Sequence, residues 1–236
     1  MEMSQFPHPL INLPFAGDTA TWAVMMRAGD ATLEANGPYQ RRTARTRTTI
    51  LTQAGPLDLS VPVHTGHSLM YKDTRINYDT RWDRQMMYAL KTAYNSSPFF
   101  EFFEREFSDL LSRRHTFLWD LNADMLETIS SLAGISLNIK ETDCFAPATE
   151  GQVDLRIAVE VKFAHKMRDL CAPVEYTQVF ATPYTKRPFT PWMSALDLLF
   201  NMGPESRNVL RAMTAPPGDK RKMTCLAKDA PTERTC

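Results

Sequence analysis

The chain has 236 residues, 43% of them hydrophobic and 10% aromatic, enough for one sizeable globular domain with a buried core. Lysine plus arginine and aspartate plus glutamate balance at 27 each, which disfavours a dedicated nucleic-acid binder. No apolar run approaches the roughly 20 residues of a membrane span, and the start, MEMSQFPHPLINLPF, has neither a basic region nor a small-residue cleavage site, so the expectation is a cytoplasmic protein.

Taken in order, LINLPF at 10–15 predicts a short buried strand, and Gly17-Asp18 turns the chain into a helix holding Trp22, Val24, Met25 and Met26. Gly29 ends that helix and ATLEA at 31–35 predicts a second strand. A strand–helix–strand unit of this kind is parallel, and the loop after its first strand opens at the carboxyl edge of the sheet, where α/β proteins bind ligands. YQRRTARTRTTIL at 39–51 then leads through Ala54-Gly55-Pro56 into LDLSVPV at 57–63. The alternation of Leu57, Leu59, Val61 and Val63 predicts an antiparallel hairpin around 46–63. TRINY at 74–78 reads as a further strand.

The densest apolar stretch is 82–111. Trp82, Met86, Leu90 and Tyr94 recur every four residues and predict one helix. Asn95-Ser96-Ser97-Pro98 stops it and opens another, with Ser97 as N-cap, and Phe99, Phe100, Phe102, Phe103 and Phe107 predict a buried aromatic stripe. A third helix is expected over 117–134 and a strand over 135–139. The pattern weakens from 140 to 175, where VDLRIAVEVKF (153–163) fits a strand or an irregular arm equally. YTQVF at 176–180 reads as a strand, and a helix follows from about Ser194 with Asp197 and Asn201 one turn apart. Beyond Arg211 few large apolar residues remain, so 8–211 is expected as the domain and 212–236 as a disordered tail. The fold class is therefore α/β or α+β: a single domain with a mixed sheet, an antiparallel hairpin and a helical layer on one face.

The sharpest polar feature is Arg41, Arg42, Arg45 and Arg47, four arginines in seven residues. On an extended segment Arg41, Arg45 and Arg47 share a face, and guanidinium forks grip phosphate or carboxylate. The same row also suits a solvated edge strand protected against pairing. His64 and His67 lack an acidic or cysteine partner nearby, so no metal site is expected. The cysteines, Cys144, Cys171, Cys225 and Cys236, form no C-x-x-C pair and read as free thiols. No Ser-His-Asp, paired-carboxylate, G-x-S-x-G, G-x-G-x-x-G or P-loop pattern is present, and neither a catalytic residue nor a cofactor is assigned.

Several stretches together resemble the WbqC-like protein family of bacteria, whose genes accompany O-antigen and surface-polysaccharide biosynthesis. They are Tyr39-Gln40-Arg41, Arg45-Thr46-Arg47 with Ile50, Gly55-Pro56 with LDLSVPV, Trp82, AYNSSPFFEFF (93–103), LWDLN (118–122), YTQVF and FTPWMSALDLLFNMGPE (189–205). The resemblance implies a ligand site drawn from Tyr39, Gln40, Arg41, Arg45, Arg47, Trp82, Asn95, Gln178, Asp197 and Asn201. It implies an anionic small molecule such as a nucleotide sugar as ligand, and other polysaccharide-biosynthesis proteins as partners. The activity it implies is a transferase or transferase accessory, of the acyl or aminoacyl type, acting on a sugar precursor; the alternative is a non-catalytic scaffold docking an acidic partner. The chain departs from the family pattern where Arg42 and Ala44 replace an amide and an aromatic residue, where Thr46 replaces an asparagine, and where Met86-Met87 replaces a His-Trp pair.

Overall fold

A computed structural model describes residues 6–64, 70–159, 164–181 and 187–213. Four strands form a parallel sheet in the order β5-β2-β1-β6: β1 (His8–Asn12), β2 (Asp30–Glu34), β5 (Asn138–Glu141) and β6 (Gln152–Asp154). Helix α1 (Thr19–Ala28) connects β1 to β2 and packs on both. Its ends are fixed locally. Asp18 Oδ1 accepts from the Thr21 N–H at 2.9 Å, and Gly29 closes the helix at φ 77°, where a side chain would be strained.

β3 (Arg47–Thr52) and β4 (Gly55–Ser60) pair antiparallel, with Ile50 opposite Leu57 and Thr48 opposite Leu59. The hairpin stands apart from the parallel sheet instead of merging with it into one mixed sheet. Two runs that read as strands are not strands. TRINY makes only isolated bridges, Ile76 to Val63 and Arg75 to Phe117, and YTQVF has no ladder partner. Their β-prone residues are used for burial and polar contacts instead, a tertiary override of local preference.

Helices α2 (Trp82–Tyr94), α3 (Phe100–Ser112) and α4 (Leu118–Ala133) follow the apolar periodicity closely. The corner between α2 and α3 differs in detail. Ser97 donates its hydroxyl back to Tyr94 O at 2.6 Å and does not cap α3, so that helix starts two residues after Pro98. Of the phenylalanines, Phe100 and Phe107 are buried, whereas Phe102 is 70% exposed. Short helices α5 (Ala164–Arg168), α6 (Ala195–Met202) and α7 (Ser206–Ala212) complete the described chain. Phe200 of α6 is the hub: its ring meets Tyr94, Phe100 and Phe107 at centroid distances of 5.1, 5.0 and 5.1 Å.

The tail expected over 212–236 falls, apart from its first two residues, on positions that are not described. α7 runs to Ala212, Met213 is buried, and the Met213 carbonyl accepts from the Ala172 N–H; 214–236 lies outside the described residues. His67 also lies outside them, as do Cys225 and Cys236. Cys171 is free, but Cys144 is disulfide-bonded, contrary to the free thiol expected for it. Among the described residues no helix is long and apolar enough to cross a membrane.

Candidate functional site

The strand order decides where a crevice forms. From β1 the chain moves to one side, to β2 and later β5, and then returns to the other side of β1 for β6. Strand order thus reverses between β1 and β6, and a parallel sheet leaves a crevice outside the carboxyl ends at such a point. A cleft of about 80 Å³ lies there, walled by Pro14, Gly17, Asp18 and Thr21 from the β1–α1 connection, by Val159, Ala164 and Arg168 after β6, and by Arg47, Trp192 and Ser194.

Each wall has a local cause. Ala16 and Gly17 both take positive φ, 59° and 65°, which bends the chain sharply from β1 into α1. A Cβ on Gly17 would sit 3.2 Å from Pro14 Cγ and from the Trp22 indole nitrogen, so the turn is closed to larger residues. Trp192 also holds a left-handed backbone, φ 64°, costly for a bulky residue. Ser194 caps α6 by accepting from the Leu196 N–H at 3.2 Å, and the Thr48 hydroxyl donates to Ser194 Oγ at 2.7 Å, tying the hairpin to this wall.

The charges in the cleft are Arg47, Arg168 and Asp18. Arg168 Nη2 lies 3.6 Å from Asp18 Oδ2, and its guanidinium sits 5.9 Å from the Trp192 ring. Arg168 Nε is buried without a hydrogen-bond partner. The neighbouring Cys171 is no nucleophile: burial, then the Asp18 charge, push its thiol up to about 12, far above neutral pH.

Behind the cleft the carboxyl edge of the sheet holds a buried ionic network. Arg156, just past β6, donates Nη1 to Glu34 Oε2 at 2.7 Å and Nη2 to Asp154 Oδ2 at 2.5 Å, with all three residues under 9% exposed. Burial alone would lower the Arg156 pKa, but the bonds to Asp154 and Glu34 outweigh it and raise it. Asn12 at the end of β1 donates to Arg156 O at 3.0 Å, and Thr142 past β5 donates to Glu34 Oε1 at 2.8 Å. All four strand ends are thereby locked together.

The residues named from the sequence fall into three places. Residues 41–46 form turns, with Arg42 at φ 59°, so Arg41, Arg45 and Arg47 do not share one strand face. Of the ten, Arg47 alone lines the cleft. Arg45 is 3% exposed; it donates Nη1 to Pro38 O at 2.8 Å and lies 4.8 Å over the Tyr71 ring. Tyr39 is half-buried, its hydroxyl pKa raised by burial against the pull of Thr46 and the arginines, while Gln40 and Arg41 are exposed.

Asp197, Gln178 and Asn201 do come together, as a buried network. Tyr94 donates to Asp197 Oδ1 at 2.8 Å, while Tyr176 and Gln178 donate to Oδ2 at 2.6 and 2.9 Å. Asn201 donates to Asp197 O and accepts from the Val179 N–H. Burial raises the Asp197 pKa despite these three donors, and burial and Asp197 hold both tyrosines well above 10, as neutral donors. The network ties Tyr176, Gln178 and Val179 to α2 and α6, and Gln178 also bonds Thr190. Trp82 opens α2 and is 4% exposed against Tyr78, while Asn95 caps the end of that helix and is exposed.

Sequence reading missed Arg168 and the ionic network. Arg156 stands two residues after Asp154, a spacing that aims both side chains the same way, but its second partner Glu34 is distant in the chain.

No curated protein and no solved structure matches the chain. The model of the WbqC-like protein family matches residues 22–209, which include the hairpin, the three long helices, Arg47, Arg168 and the Asp197 network. With most of its length matched in this way, the chain belongs to the WbqC-like protein family.

Proposed function

We propose that the crevice between the β1 and β6 ends binds a phosphate-bearing sugar precursor of bacterial surface-polysaccharide synthesis, and that the protein is a transferase or transferase accessory of that process. The observation that carries this reading is that Arg47 and Arg168 both line a cleft at the strand-order reversal, with Trp192 beside Arg168. Guanidinium forks recognise phosphate oxygens bidentately, and an indole face packs on the apolar face of a sugar ring. At about 80 Å³ the cleft seats a phosphate and part of one sugar, so the rest of a nucleotide sugar lies outside it.

The test is a thermal-shift and calorimetric screen of sugar phosphates and nucleotide sugars on the full chain. Arg47→Ala and Arg168→Ala should each weaken binding roughly tenfold to hundredfold, the loss of charge-assisted hydrogen bonds. Absence of binding by any such ligand would overturn the reading.

A second reading, binding without turnover, has one observation in its favour. Met86, where the resemblance implies a histidine, is 4% exposed in the apolar core between α2 and its neighbours. Proton transfer by a side chain at that position is thus absent, and with it the ~10²–10⁴-fold that such catalysis contributes. Product formation by the wild-type chain at a rate typical of an enzyme would remove this second reading.

A further inference from the structure

The crevice is not a simple anion hole, because Asp18 stands inside it. One of its oxygens has a structural duty: Oδ1 accepts from the N–H and the hydroxyl of Thr21, at 2.9 and 2.8 Å, and so caps α1. Asparagine, serine or threonine would cap as well without a charge. The other oxygen, Oδ2, faces Arg168 at 3.6 Å, longer than a hydrogen bond. A carboxylate there repels a phosphate held by Arg168, so for an anion alone it is a defect. It becomes an asset when the ligand carries a cation beside its phosphate.

We infer that the ligand carries an ammonium group on the carbon adjacent to its phosphate-bearing carbon, as in a 2-amino-2-deoxyhexose 1-phosphate, with the phosphate on Arg47 and Arg168 and the ammonium on Asp18. The inference rests on the phosphate-site reading above and deepens it. Adjacency is the deciding feature. Asp18 Oδ2 and Arg168 Nη2 are immediate neighbours, so the groups they recognise must also be neighbours on the ligand. A hydroxyl in place of the ammonium still donates to Asp18, but a charge-assisted bond is about twice as strong as a neutral one. An N-acetyl group removes the charge and adds bulk to a narrow cleft.

The experiment is calorimetric titration of the full chain with glucosamine 1-phosphate, glucose 1-phosphate and N-acetylglucosamine 1-phosphate, at a pH where the free amine is protonated. The wild type should prefer glucosamine 1-phosphate to the other two by roughly five- to tenfold, a range set by the partial solvent access of Asp18. Asp18→Asn retains the helix cap, which a thermal melt checks. It should erase the preference and leave glucose 1-phosphate bound as tightly as before or more tightly. Equal affinity for all three in the wild type, or a preference that survives in Asp18→Asn, overturns this inference and leaves the phosphate site standing. If neither protein binds any of the three, the phosphate site itself falls and this inference with it.

Discussion

At the scale of single residues, the molecule spends its buried charges on position. Arg156 holds the buried carboxylates of Glu34 and Asp154. Arg156→Met keeps most of the volume and strands two carboxylates, so it should cost about 3–5 kcal/mol of stability, read as a lowered denaturation midpoint. Asp197 makes a prediction about pH. Its folded pKa is raised above the ordinary 3.8, chiefly by burial, so the native state binds its proton more tightly than the unfolded chain. Its contribution is fully present below the unfolded pKa and is lost as pH rises through the folded one. Between those two values the stability difference between wild type and Asp197→Asn should therefore shrink with rising pH; a difference that widens over that window would reverse the assignment. What sequence shows at this scale is whatever is local. Asp18, Gly29, Gly134 and Ser194 are caps legible from a few neighbours, and the structure uses all four as caps. Glu34 and Arg156 are not legible, because an ion pair spanning |i−j| of 122 has no local signature.

At the scale of elements, periodicity identified the long helices because each buries a continuous stripe. It misjudged TRINY and YTQVF because strand-like composition needs a partner strand, and these segments have none. YTQVF instead sends Tyr176 and Gln178 to Asp197, a use that no alternation pattern encodes. Two measurements belong here. Gly203 links α6 to α7 at φ 53°, and a Cβ there would stand 2.4 Å from the Phe99 ring. Gly203→Ala should therefore destabilise by roughly 2–4 kcal/mol, combining overpacking with backbone strain. Truncation locates the end of the domain. Ending the chain after Arg211 removes Met213, which is 1% exposed, and should cost about 2–5 kcal/mol. Comparing melting temperatures of chains ending at 211 and at 213 checks it: equal values would show that Met213 adds nothing.

At the scale of the whole molecule, the cleft exists because β6 inserts beside β1 after the chain has gone round by β2 and β5. That event was the least legible part of the sequence, since β6 is three residues long and sits in a stretch mixed with proline and charge. The loop after β1 was foreseen as one wall; the wall bearing Arg168 was not, because nothing local distinguishes that arginine from a solvated one. The hairpin brings Arg47 to the same place through Thr48 and Ser194, so cations from separate parts of the chain converge on one crevice. The most direct test is to titrate glucose 1-phosphate and a uridine diphosphate sugar into wild type, Arg47→Ala, Arg168→Ala and Arg84→Ala, the last altering an exposed arginine of α2 beside a different cleft. Wild type and Arg84→Ala should bind both ligands, with affinities lower by roughly ten- to a hundredfold in the other two. Wild-type affinity in Arg47→Ala and Arg168→Ala, or an equal loss in Arg84→Ala, would contradict it.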